Sequence, residues 1–107
     1  MVIHGLSDGL VPIAFTSEPY VKFVRGKNST LSYWQIENAQ HFDAFLGQPV
    51  LAMQYVPLMP YAYKGLDAMW AHIEQGNPMP ADRVFKTKPR KLSGAELEPL
   101  SNANLDF

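Results

Sequence analysis

The chain has 107 residues, with 9 Lys and Arg against 10 Asp and Glu, 47% hydrophobic residues and no cysteine. That is the length of one small domain, and a formal net charge of -1 removes the broad basic footprint that nucleic-acid or anionic-membrane binding needs. Without cysteine there is no disulfide scaffold, thiolate zinc site or cysteine nucleophile, and no apolar run approaches the roughly 18 residues of a membrane span.

Val2-Ile3-His4 is a short β-branched run that stops at Gly5, before the turn formers Ser7-Asp8-Gly9, and reads as a buried strand ending in a loop. Pro12 suits the first turn of a helix carrying Ile13, Ala14, Tyr20, Val21, Phe23 and Val24 inward and ending near Gly26. Pro19 interrupts it, so a second helical piece is expected over 18–25 with Ser17 as N-cap. The stretch 30–36, rich in β-formers, reads as a second strand running into a polar loop, Glu37 to Asp43. Pro49 opens an apolar helix over 50–55, closed by Pro57 and Pro60.

The clearest helix spans 61–75. Ala62, Leu66, Met69, Trp70 and Ile73 form one apolar stripe, and Gly76-Asn77-Pro78 ends it. A third short strand is expected within 82–87 around Val84-Phe85. From Lys88 the composition turns polar, so residues 91–107 read as an irregular tail to the α/β part formed by residues 1–90. The alternation of strand and helix favours parallel pairing through a crossover. Parallel sheets are buried on both faces and need several neighbours, so two or three strands look like one end of a larger, incomplete sheet.

Two loops hold groups capable of chemistry. Asp8 follows the first strand and His41 follows the second, and the loops at the carboxyl ends of parallel strands share one edge of an α/β sheet. An acid that orients a histidine, which then activates a hydroxyl, needs that juxtaposition, and the order acid before histidine fits Ser-acid-His enzymes. The plainer alternatives are Asp8 as an Asp-Gly turn residue and His41 as a hydrogen-bonded loop histidine.

The residues Ile3 to Pro12 resemble the acid loop of α/β hydrolases, often His-Gly-x-x-Asp-x-x-Val-Pro. Tyr33-Trp34-Gln35-Ile36-Glu37-Asn38-Ala39-Gln40-His41-Phe42-Asp43-Ala44-Phe45-Leu46 resembles the C-terminal part of the 3-hydroxybutyrate oligomer hydrolases. So do Tyr55 to Tyr61, Leu66-Asp67, and the Pro80 to Pro89 stretch that runs on into Arg90. The resemblance covers nearly the whole chain and weakens after Arg90. It implies the C-terminal portion of an α/β-hydrolase fold, with the last parallel strands, their crossover and the C-terminal helices. It also implies a serine esterase cleaving 3-hydroxybutyrate oligomers to monomer, with Asp8 as triad acid, His41 as general base, a small hydroxyacid ester as substrate, and no metal or organic cofactor. Tannases and feruloyl esterases are similar, but typically have linked cysteines where this chain has Ser7 and Gln40.

The departure is the nucleophile. No Gly-x-Ser-x-Gly pentapeptide occurs, so the 107 residues alone are expected to be inactive. The alternative function is a non-catalytic α/β module that self-associates, or binds a partner chain or the missing N-terminal part, through an exposed sheet edge. Neither nucleic acid nor membrane is expected as a partner. The start of the chain lacks a signal-peptide pattern, and the compartment is left open between cytoplasmic and secreted.

Other residues have structural readings. His4, at a strand end, reads as packing, with approach to the active site as the alternative, and His72 reads as structural or solvent-facing. Asp43 reads as an N-cap for Ala44-Phe45-Leu46, with a competing partner of His41 as the alternative. Tyr55, Tyr61, Tyr63 and Trp70 read as core, with an acyl pocket as the alternative, and the run from Lys86 to Lys91 as solvated surface.

Overall fold

In the computed structural model, which describes residues 1–107, Val2–Gly5 (β1) pairs in parallel with Tyr33–Ile36 (β2), and β2 with Arg83–Phe85 (β3), in the order β1-β2-β3. The chain is therefore a mixed α/β unit around a three-stranded parallel sheet. Tyr33, Trp34 and Ile36 are all buried, as a central parallel strand covered on both faces requires. In β3 only Phe85 is buried.

Helices lie on both faces. On one, Ser17–Arg25 (α1) approaches the sheet with Val21 buried, and the Ser17 hydroxyl hydrogen-bonds the Tyr33 phenol at 2.7 Å. On the other, Met59–Gln75 (α3) and Asn102–Leu105 (α4) enclose a core of Trp34, Ile36, Ala39, Val56, Tyr61, Phe85 and Leu105. Trp34 and Tyr61 meet Phe85 edge-on at 5.2 and 4.9 Å. Arg25 pairs with Asp82 at 2.6 Å, and Asp82 accepts the Tyr33 amide at 3.0 Å, which fixes the entry of β3 beside β2.

The first helix divides as Pro19 requires. A 3-10 turn, Ile13–Phe15, precedes α1, with Pro19 in its first turn, where no intrahelical N–H is needed. The cap residue is Thr16 rather than Ser17, whose hydroxyl is taken by Tyr33, and of the six residues expected inward only Val21 is buried while Tyr20 and Phe23 are exposed. The helix expected over 50–55 is the four-residue Pro49–Ala52 (α2).

Helix α3 has the expected span, extended by two residues at its start, but its apolar stripe is only partly covered, with Ala62 and Met69 half-buried beside Met1 and Ile3. Tyr61 and Gly65 are the buried positions, whereas Leu66, Trp70 and Ile73 are 66%, 64% and 70% exposed. Hydrophobic periodicity identifies an apolar face without saying what covers it. Contact with the sheet is made through Gly65, where a Cβ would stand 2.5 Å from Ile3 Cδ1 and 2.8 Å from Met1 Sδ.

Residues 91–107 are ordered structure rather than an irregular tail. Leu92–Ser93 (β4) and Glu96–Leu97 (β5) form an antiparallel hairpin whose turn places Gly94 at φ 67°. Helix α4 has a capping box from Ser101 and Asn104, and Leu105 sits in the core with its carbonyl accepting the Tyr61 hydroxyl at 2.8 Å. The polar composition hid these because two apolar side chains dock so short a helix: Leu105, and Phe107, which meets Tyr61 edge-on at 5.0 Å. Only 16 of 107 residues are buried, and the radius of gyration is 15.3 Å against about 13 Å for a compact chain of this length, so much apolar surface stays open.

Candidate active site

Asp8 and His41 meet because two loops leave the same edge of the parallel sheet side by side. The Leu6 amide donates to the Ile36 carbonyl at 2.8 Å and the Ser7 amide to the Ala39 carbonyl at 3.0 Å, so the chain beyond β1 follows that beyond β2. This approach requires glycine at position 5, where a Cβ would overlap the Ala39 backbone carbonyl. Asn38, at φ 55°, turns the second loop, and its side-chain amide donates to the Thr87 carbonyl and hydroxyl at 3.2 and 3.1 Å. The Gly9 amide donates to Gln40 Oε1 at 3.2 Å, a hydrogen bond between the two loops.

The Asp8 side chain is 1% exposed and fully engaged. Oδ1 accepts the Leu10 and Val11 amides at 2.9 and 2.8 Å, and Oδ2 accepts from His41 Nδ1 at 2.7 Å and His4 Nε2 at 3.0 Å. Asp8 is thus both the turn residue and the histidine's partner, the two readings its sequence left open. Burial alone would raise its pKa, but hydrogen bonds from the Val11 amide, His41, the Leu10 amide and His4 outweigh it and hold the carboxyl below its ordinary range. The ionised carboxylate can only accept, so His41 carries a proton on Nδ1, and in the neutral ring that leaves the lone pair on Nε2.

The His41 ring is 38% exposed and borders a cavity of about 390 Å³. Leu10, Phe42, Phe45, Leu46, Leu51 and Tyr55 supply its apolar wall, and Gln40 contributes the polar remainder. The arrangement offers an oriented imidazole base, backed by a buried carboxylate, at the mouth of an apolar hollow.

Sequence reasoning ranked one support below packing and missed another. His4 is not simply packed: its Nε2 reaches Asp8 and also the Val11 carbonyl at 2.9 Å. The spacing His4 to Asp8 was the available signal, but a histidine on a buried strand reads as core. Asp43 does not cap the 3-10 turn Ala44–Gly47; it accepts the Leu58 and Met59 amides at 2.7 and 2.8 Å, tying the His41 loop to the start of α3. Of the four aromatics, Tyr61 is core, Tyr55 lines the cavity, and Tyr63 and Trp70 are exposed. His72 closes the end of α3 by donating from Nδ1 to the Asn77 carbonyl at 2.6 Å.

The 3HB-oligomer hydrolase family model matches residues 1–106. The chain is similar to D-(-)-3-hydroxybutyrate oligomer hydrolases of Polaromonas sp. (strain JS666 / ATCC BAA-500) and Albidiferax ferrireducens, each 44% identical over 98% of this chain. It is also similar to that of Paracidovorax citrulli, at 40% identity. The chain spans 15–16% of the length of these relatives. No solved structure matches it.

Proposed function

Because the chain belongs to the 3HB-oligomer hydrolase family, we propose that it is the acid–base segment of a serine esterase that hydrolyses 3-hydroxybutyrate oligomers, folded as the C-terminal portion of an α/β hydrolase. The observation that carries this reading is the 2.7 Å bond between Asp8 Oδ2 and His41 Nδ1, with Nε2 open beside an apolar cavity. The serine is supplied by sequence outside these 107 residues. Its Oγ attacks the ester carbonyl while His41 Nε2 takes the hydroxyl proton, and Asp8 holds the ring in the Nδ1–H form and stabilises the imidazolium. His41 then delivers the proton to the leaving 3-hydroxyl oxygen. Water, deprotonated by the same nitrogen, releases the acyl group. The apolar wall from Leu10 to Tyr55 suits the methyl-bearing carbon chain of such an oligomer.

The test is hydrolysis of a 3-hydroxybutyrate dimer. The 107 residues alone should give no turnover, since loss of the nucleophile removes about 10⁶ of rate in serine hydrolases. A complete protein carrying this segment should turn over the dimer and lose that activity with His41→Ala. Turnover by the isolated chain that disappears with His41→Ala would refute the need for an outside serine. A complete enzyme indifferent to that change would refute the role of His41.

A second reading, association through a sheet edge, is favoured by one observation. β1 pairs only with β2, and the exposed Leu66, Trp70 and Ile73 lie on α3, the helix that packs against β1. Such an edge beside an apolar patch is a template for another chain or for the rest of the enzyme. Light scattering discriminates: a clean monomer at high concentration counts against self-association.

A further inference from the structure

The carboxylate that orients His41 is gripped by a second imidazole. Oδ1 of Asp8 is pinned by two adjacent amides, Leu10 and Val11, which leaves Oδ2 free to swing about that anchor. Two rings oppose the swing, His41 at 2.7 Å and His4 at 3.0 Å. His41 is on a partly exposed loop, whereas the His4 side chain is 12% exposed and belongs to β1. His4 Nε2 also lies 2.9 Å from the Val11 carbonyl, which, like the ionised carboxylate, can only accept. Its nitrogen must therefore carry the proton and donate to both oxygens.

We infer that His4 is a positioning residue: its Nε2–H, shared between Asp8 Oδ2 and the Val11 carbonyl, holds the carboxylate toward His41 and so fixes His41 as the Nδ1–H tautomer. The rigid strand supplies what the loop cannot. The carboxylate edge stays aligned when the His41 ring moves to pass its proton on. This inference rests on the proposed roles of Asp8 and His41, but its structural content is measurable without any turnover.

The experiment is nitrogen-resolved NMR of the histidine rings in the 107-residue chain. In the wild type, His4 should be protonated on Nε2 and His41 on Nδ1, the latter giving a slowly exchanging, downfield-shifted proton signal. His4→Leu should broaden or abolish that signal and shift the His41 ring toward the Nε2–H form. His4→Gln, whose side-chain nitrogen falls near the position of imidazole Nε2, should restore it. A folded His4→Leu chain with an unchanged His41 signal overturns the inference, and so does equal loss in His4→Gln. An Nδ1–H form of His4 in the wild type also overturns it, and that measurement serves even if His4→Leu does not fold. If the NMR pattern holds while His41→Ala leaves hydrolysis intact in the complete enzyme, the functional reading fails and the role of His4 stands.

Discussion

Asp8→Asn keeps the shape of the side chain and removes its charge. The amide oxygen can still accept the Leu10 and Val11 amides, but the amide nitrogen then faces two imidazole nitrogens that donate to Asp8 in the wild type. Hydrogen bonds to a charged group contribute roughly 1.5–3 kcal/mol each. The partly exposed His41 bond belongs near the low end, and both rings can relieve the clash by changing tautomer, so the expected loss is about 2–4 kcal/mol. For a domain of this size that lowers Tm by on the order of 10–20 °C.

The pH dependence has a definite sign. Asp8 titrates below its ordinary value of 3.8 in the folded chain, so its stabilisation is complete above the unfolded carboxylate range and disappears as pH falls through the folded value. Thermal melts of both chains at pH 6, then stepped downward, should show a gap that narrows below about pH 4. Equal Tm values at pH 6, or a gap that does not narrow with acid, would refute the reasoning.

Two further outcomes follow from the packing. Gly5→Ala forces a Cβ into the Ala39 carbonyl, a backbone atom that cannot yield, so stability should fall by about 1–3 kcal/mol and the His41 Nδ1–H signal should be lost as the loops part; an unaltered melt with an intact signal contradicts the close approach. Leu105→Ala should lower the urea midpoint by the equivalent of about 2–4 kcal/mol at constant m, because Leu105 is a core residue; a change under about 0.5 kcal/mol would mark α4 as peripheral.

Asp8 and His41 were legible in the sequence because each follows an apolar strand, and parallel strands put such loops on one edge. The third strand and the long helix were legible for the same reason, strong local pattern. What escaped was whatever depends on a partner far along the chain. Asp43 looks like a local cap, yet it satisfies amides 15 and 16 residues away. Leu105 sits between the polar Asn104 and Asp106, and nothing local announces that Tyr61 and Phe85 leave a space for it. The stripe on α3 was read correctly as apolar, but Trp70 within it was read as core and is exposed. His4 was visible but assigned to packing, since a strand residue normally points into core and only the turn at Asp8 brings a carboxylate back to meet it.

The contacts that close the Asp8 carboxylate all lie within residues 4–41, the longest joining positions 33 apart. The supports beneath them come from much later in the chain: Asn38 is held by Thr87 across 49 residues, and Tyr61 is closed over by Leu105 across 44. A chain made from its N-terminus can therefore bring the acid and the histidine together before the base of their platform exists. A chain ending before Asp82 should accordingly keep the acid and the histidine within reach of one another while lacking the Phe85, Thr87 and Leu105 contacts beneath them.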